Sequence, residues 1–215
     1  MTAGVTVLIP VKNLALAKSR LAEVLPPVGR EALARALVRH VVAQALAADG
    51  VEQVVLLSDD EAVAREAGAL NVEHRPEEAP GLNGSLGAAI AGLRAEGVAD
   101  ILILFADLPA VTSEEITALV EAMRSVPAAL TLAPSERGGT SALGLPHGVS
   151  VALHFGAGSR GRFSSAASEA GLAVFEVGRP GLFQDLDEPD DIPAVLASPA
   201  CAAHVRAVLG RASQA

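Results

Sequence analysis

The chain has 215 residues, a formal net charge of −9 and a hydrophobic content of 51%, with a mean hydropathy of +0.41, so an intrinsically disordered chain is excluded. Aromatics are only 2%, five Phe with no Trp and no Tyr, which argues against a base-stacking platform for single-stranded nucleic acid. The acidic balance argues against a general binder of nucleic-acid backbones, but not against small anions met by a local basic loop or a metal ion.

Val5–Val11 is a nearly continuous apolar run and predicts a buried parallel strand. A basic loop, Lys12–Leu25, follows, broken by Pro26 and Pro27. Apolar residues at helical spacing predict a helix over Arg30–Ala48, and Gln53–Leu57 a second strand. Ser58 with Glu61 three residues on has capping-box form and opens a helix to about Leu70. Val72–His74 is extended, Pro76–Gly81 a loop and Gly84–Glu96 helical. Ile101–Phe105 is expected to be the most buried strand; Asp107-Leu108-Pro109 ends it, and Ser113-Glu114-Glu115 caps a helix to about Arg124. Ala129–Ala133, Gly144–Leu153 and Leu172–Val177 predict further strands, Arg160–Ala170 a helix and Pro189–Leu196 a short one. Strands alternating with helices mean βαβ units around a mostly parallel central sheet. The strand-richer later part can add an antiparallel pair. Without linkers, low-complexity stretches or repeats, residues 1–215 are expected to form a single α/β domain.

A single Cys, Cys201, excludes an internal disulfide and any multi-Cys metal site and is expected as a buried small hydrophobe. No apolar run reaches the roughly 20 residues of a bilayer span, and the start of the chain lacks signal-peptide form. A soluble cytoplasmic protein is expected, with no membrane and no nucleic-acid partner. The five His residues show no ligand spacing and are expected to be surface or satisfied side chains.

In open α/β sheets, ligands bind beyond the carboxyl ends of the strands. The residues there are distinctive. Of 16 basic residues, 14 are Arg and two are Lys; Lys12 and Lys18 share one segment with Arg20, the compact ammonium charge a phosphate clamp uses. Asp107 directly follows an apolar strand and, if it points into the crevice, needs a cation. Asp185 and Asp187 are two apart, so an extended segment puts both on one face while Leu186 packs inward. Two such carboxylates call for a divalent ion, and oxygen-only ligands suit Mg²⁺ or Mn²⁺. A turn role for Asp107 and a solvated acidic stretch for Asp185 and Asp187 are the plain alternatives. Glu188, Asp190 and Asp191 fit the first turn of a helix and are left outside the site. Glycine-bearing pieces at Gly81–Leu86, Arg137–Ser141 and Phe155–Ser159 could each bring backbone N–H groups to an anion, or could simply be turns. A basic loop facing an acidic metal site is equipment for phosphoryl or nucleotidyl transfer.

The segments IPVKNLALAKSRL, GLNGSLGAAI, ILILFADLPA, GGTSAL, HFGAGS and FQDLDEPDDI, in this order, resemble the guanylyltransferases of coenzyme F420 biosynthesis, which act on 2-phospho-L-lactate or phosphoenolpyruvate. The resemblance runs from about residue 5 to 195 and implies a Rossmann-like nucleotidyltransferase fold. It implies joining of GTP to a small phosphorylated three-carbon acid with release of pyrophosphate. Phosphoenolpyruvate is the expected acid; 2-phospho-L-lactate and 3-phosphoglycerate are the alternatives. By matching segments, Asp107, Asp185 and Asp187 would hold magnesium, with two ions expected. Thr140, Gly156 and Ser159 would contact the phosphoacid. Lys12, Lys18 and Arg20 would face the GTP triphosphate, with Lys12 and Lys18 serving the chemistry alongside Asp107, and Asn83 would lie near the nucleoside. One position departs from the family pattern: a His is expected four residues after Ser159, where this chain has Phe163. A homodimer is compatible with the resemblance. A molybdenum-cofactor type nucleotidyltransferase would need a glycine-rich loop after the first strand, and PVKNLALAKSRL has none. A DxD glycosyltransferase would carry its DxD after a mid-chain strand, and a nucleotide sensor would bind without releasing pyrophosphate.

Overall fold

In the computed structural model, residues 4–126 and 128–212 are described. The chain runs through β1 (Val5–Pro10), a 3₁₀ turn (Ser19–Glu23), α1 (Pro27–Ala47), β2 (Val51–Leu57), α2 (Glu61–Leu70), β3 (Glu73–Arg75) and α3 (Leu82–Ala95). It continues through β4 (Asp100–Leu104), α4 (Ser113–Ser125), β5 (Ala129–Pro134), β6 (Thr140–Leu145) and α5 (Ser159–Glu169). β7 (Ala173–Glu176), α6 (Pro180–Phe183), α7 (Asp191–Ala197) and α8 (Ala203–Ala212) complete it.

The strands form a 7-stranded sheet in the order β3-β2-β1-β4-β6-β5-β7. β1 pairs in parallel with both β2 and β4, β2 with β3, and β5 with β7. The antiparallel component is β6 alone, which runs against both β4 and β5. From β1 the chain moves outward to β2 and β3, then returns to the other side of β1 as β4. That reversal is the topological switch point, and the carboxyl ends of β1 and β4 open onto it.

Side-chain alternation along the strands divides the core. Val7, Ile9, Leu102 and Leu104 face a layer with Val38, Val41 and Val42 of α1, Val63 of α2 and Ile116, Leu119 and Val120 of α4. Leu8, Ile101 and Ile103 face the other layer, with Leu86 and Leu93 of α3 and Phe163 and Ala167 of α5. With both faces covered, β1 and β4 need continuous apolar runs, which is the pattern their sequences show. A third, smaller cluster joins Leu21 and Leu25 to Leu33 and Leu37 of α1, Leu186, Val195 of α7, Cys201, and Val205 and Leu209 of α8. Cys201 is the buried small side chain expected of it.

Several boundaries differ from expectation. α1 begins at Pro27, because Pro at the first helical position has its φ preset and lacks only an N–H that would have no intrahelical acceptor there. The cap of α2 is Asp60, whose side chain accepts from the Ala62 amide, not Ser58, whose Oγ accepts from the Asp60 amide. The cap of α4 is Thr112, in a capping box with Glu115, one residue before the expected Ser113. The strand expected over Gly144–Leu153 is instead β6, ending at Leu145, because a Pro146-His147-Gly148 turn breaks it. α6 and α8 were not anticipated. His40 is buried and only half satisfied: it is 6% exposed, its ring bonds the Val111 backbone, and its Nε2 has no hydrogen-bond partner among the described residues. Burial lowers its pKa, and the His204 ring, 5.8 Å away, adds to the effect.

Candidate active site

A cavity of about 630 Å³ opens at the switch point. Its walls include Pro10 at the end of β1, Val11, Lys12, Leu14 and Lys18 after it, Glu77, Gly81 and Leu82 after β3, Phe105 and Asp107 after β4, and Asp187. The loop after β1 is held at two points. Leu14 is buried, and its amide donates to Asp60 Oδ2 at 2.8 Å while Oδ1 of the same carboxylate caps α2. Lys18 then adopts φ 53, ψ 36, a left-handed conformation uncommon outside glycine. This turn starts the 3₁₀ segment and sends the lysine stem inward, leaving its side chain 10% exposed.

Lys18 Nζ lies 3.7 Å from Asp107 Oδ2 and 3.7 Å from Asp187 Oδ1, which joins the basic loop to both acidic loops. Arg20 Nη1 reaches Asp187 Oδ2 at 2.8 Å and Glu188 Oε1 at 3.2 Å. The two acidic segments are also joined through the main chain, where the Leu186 amide donates to the Asp107 carbonyl at 3.0 Å. Leu186 is fully buried, so Asp185 and Asp187 share the solvent side as their spacing predicts. Gly181 permits this approach: a Cβ there would collide with the Ala110 carbonyl, the Val111 Cα and the Glu115 carboxylate, whereas the bare Gly181 amide donates to Glu115 Oε1 at 2.9 Å.

Arg137, at the tip of the β5–β6 hairpin, reaches the same cluster. Its Nη1 is 3.3 Å from Asp185 Oδ1, and its Nη2 pairs with Asp191 and lies 3.5 Å from Glu188. Asp191 is buried, and its Oδ2 accepts from the Asp187 and Glu188 amides at 2.8 and 2.7 Å. Burial opposes charge on Asp191, but the two amides and Arg137 outweigh it and hold the carboxyl below the usual range. Asp185 moves the other way. Burial, then the charge of Asp107, push it up to about 6, only partly countered by Arg137 and Lys18. A carboxyl raised by burial and by a neighbouring carboxylate, in a cleft, is the kind of group found at functional sites.

Thr140 and Ser159 are both buried, and the Ser159 hydroxyl donates to Thr140 Oγ1 at 3.0 Å. Gly156, at φ +121, precedes α5, and its carbonyl accepts from the Ser159 amide. These three residues therefore form one group beside the Arg137 hairpin. Asn83 is engaged elsewhere: its Oδ1 accepts from the Phe155 amide at 2.8 Å and its Nδ2 donates to the Phe155 carbonyl at 3.3 Å. It ties α3 to the loop before α5. Phe163 is fully buried, with its ring 4.9 Å from that of Phe155, so the position expected to carry His belongs to the core.

The donor set of Asp107, Asp185 and Asp187 is all oxygen, and the raised Asp185 leaves it in need of a cation, which fits a hard divalent ion. Among the described residues, no three His, Cys, Asp or Glu side chains already stand together as a metal cage; Lys18 lies between Asp107 and Asp187. Sequence reasoning missed three residues here. Arg137 was seen only as part of a glycine-bearing loop, Asp191 only as a first-turn residue, and Glu77 not at all, although its loop follows a parallel strand on the ligand side of the sheet.

Residues 5–196 match the family model described as guanylyl transferase CofC like. The chain is 38% identical over 195 residues to the phosphoenolpyruvate guanylyltransferase of Rubrobacter xylanophilus, covering 91% of this chain and 95% of that protein. It is 39% identical to the protein of the same name from Salinispora arenicola, covering 89% of this chain and 87% of that one. Among solved structures, a nucleotide-diphospho-sugar transferase candidate from Desulfovibrio desulfuricans G20 superposes with a TM-score of 0.82 at 16% identity, covering 96% and 94% of the two chains. A 4-diphosphocytidyl-2C-methyl-D-erythritol synthase superposes at 0.60 with 17% identity, covering 91% and 97%. At these identities the likeness shows the fold, that of nucleotidyltransferases.

Proposed function

The chain belongs to the CofC-like guanylyl transferase family, and from that membership we propose that it joins GTP to phosphoenolpyruvate, releasing pyrophosphate, in coenzyme F420 biosynthesis. A phosphate oxygen of the acid attacks the α-phosphorus of GTP. The bond from that phosphorus to the bridging α–β oxygen breaks, and the electron pair leaves with pyrophosphate. The product is enolpyruvoyl-2-diphospho-5′-guanosine. The attacking oxygen is already an anion near neutral pH, so no strong general base is required.

The observation that carries this reading is the convergence of Lys18 with Asp107 and Asp187, at 3.7 Å each, at the switch point. Lys12, Lys18 and Arg20 stabilise the charge that develops on the leaving pyrophosphate. Asp107, Asp185 and Asp187 would hold magnesium. The ion would screen the repulsion between the two anions and polarise the transferred phosphoryl group. Thr140, Ser159 and the backbone at Gly156 would hold the phosphoacid and orient its phosphate towards the nucleotide, which counts heavily when the transition state has little covalent demand.

The test is a coupled pyrophosphate assay over GTP, CTP and UTP, each with phosphoenolpyruvate, 2-phospho-L-lactate and 3-phosphoglycerate, with and without EDTA. Release is expected with GTP and phosphoenolpyruvate, and EDTA should abolish it. Pyrophosphate release with CTP but not GTP, or none with any acid, would overturn the proposal.

A further inference from the structure

We propose that Glu77 is the residue that selects guanine, by accepting the N1–H and N2–H groups on the edge of the base. The assignment rests on the guanylyl-transfer reading above and deepens it. The cavity holds three carboxylates with different neighbours. Asp107 and Asp187 stand beside Lys18, and Asp187 also beside Arg20. Glu77 lines the same cavity, but among the described residues no Lys, Arg or His forms an ion pair with it. A cavity that takes a triphosphate does not tolerate a bare carboxylate near the phosphates. It accepts one where the ligand presents donors.

The topology puts Glu77 at the far end from the phosphate machinery. Asp107 follows β4 and Glu77 follows β3, with β1 and β2 between them. Three strand spacings amount to roughly 14 Å, about the reach of a nucleoside from α-phosphate to the far edge of its base. The lysine-bearing loop after β1 lies between the two ends, where the sugar and phosphates would run.

Glu77 is also held in place. Ser85, buried in α3, donates its hydroxyl to Glu77 Oε2 at 2.6 Å, and the Glu77 amide donates to Asp59 Oδ1 at 2.7 Å. A carboxylate accepts through both oxygens and donates through neither. Guanine presents two adjacent donors, N1–H and the N2 amine, which a carboxylate can accept together. Adenine presents an N1 lone pair at the same place and would be repelled, so one side chain both attracts the right base and rejects the wrong one.

Wild-type enzyme with phosphoenolpyruvate should use GTP well, inosine triphosphate less well because it lacks the N2 amine, and N1-methyl-GTP and ATP poorly. Glu77→Gln keeps an acceptor for Ser85 but loses the paired acceptors, so kcat/KM for GTP should fall roughly 10- to 100-fold while the GTP-to-inosine-triphosphate ratio moves towards one. Wild-type use of N1-methyl-GTP at the GTP rate would overturn the assignment, and needs no variant to fold. Equal loss on all four nucleotides in Glu77→Gln, or an unchanged preference, would overturn it too. Wild-type enzyme that releases no pyrophosphate from GTP would instead remove the guanylyl-transfer reading itself.

Discussion

Glu66 and Asp185 are both carboxylates drawn out of water, and their environments drive them in opposite directions. Glu66, on α2, has a side chain 6% exposed and accepts from Arg35 and Arg39 of α1, with Arg39 Nε at 2.7 Å. Burial opposes its charge, but the two guanidinium groups win and lower its pKa. Asp185 has a side chain 21% exposed and pairs with Arg137 at 3.3 Å, a guanidinium shared with Asp191 and Glu188. Its carboxyl rises to about 6. The first cluster is complete within the chain and serves stability. The second sets five carboxylates, Asp107, Asp185, Asp187, Glu188 and Asp191, against three cations, Lys18, Arg20 and Arg137, an excess of negative charge that the proposed magnesium would offset.

The contrast can be broken most severely at the second cluster. Asp107→Asn and Asp187→Asn should each lower pyrophosphate release at least about 1,000-fold while leaving the far-ultraviolet spectrum unchanged; near-wild-type turnover in either would remove that residue from the site. At the first cluster, Glu66→Gln should leave turnover intact and cost about 1 kcal/mol, because the charge facing Arg35 and Arg39 is lost while Arg35 keeps Glu31 and half-exposed Arg39 keeps water, lowering Tm by roughly 2–4 °C. An unchanged Tm would show that the network contributes no net stability. Asp185→Asn should separate the two properties: activity is lost, yet the metal-free protein gains about 1 kcal/mol, or roughly 2–4 °C in Tm. A lower Tm would mean that Asp185 is a structural group.

The smallest effect is in the pH profile. A carboxyl raised in the folded state binds its proton there first, so its destabilising effect is present above about 6 and is relieved as pH falls from about 6 towards its ordinary value of 3.8. Glu66 has the opposite sign: its stabilisation is present above its ordinary value and is lost as pH falls through its lowered one. In EDTA, the Tm advantage of Asp185→Asn over wild type should therefore shrink between pH 7.5 and pH 5, as calorimetry can follow. A constant difference across that range would contradict the raised pKa.

Much of this was legible in the residues. The runs VTVLIP and DILIL had to be buried on both faces, which placed β1 and β4 and hence the switch point. Asp185 and Asp187 were legible because a spacing of two in an extended segment shares a face and Leu186 confirms the inward direction. Arg137 was not: its partners lie 48 to 54 residues away, and a lone Arg at a hairpin tip carries no period. Asp191 was recognised as a first-turn residue, but not that its carboxylate would turn back onto the Asp187 and Glu188 amides. α8 escaped because two buried positions, Val205 and Leu209, are too few to declare an amphipathic face. Thr112 and Asp60 were passed over because Ser113 and Ser58, one and two residues away, are N-cap side chains of at least equal preference.

Leu186 sits between the two aspartates and packs with α1, α7 and α8 rather than into either layer against the sheet. The acidic segment therefore shares its mechanical fate with the smallest apolar cluster of the fold. Opening of that cluster is a sub-global event, cheaper than global unfolding, so Asp185–Asp187 should exchange amide protons in step with α8 while the sheet stays protected. Shortening a side chain such as Val205 would then reach the reaction centre without altering a single charged group in it.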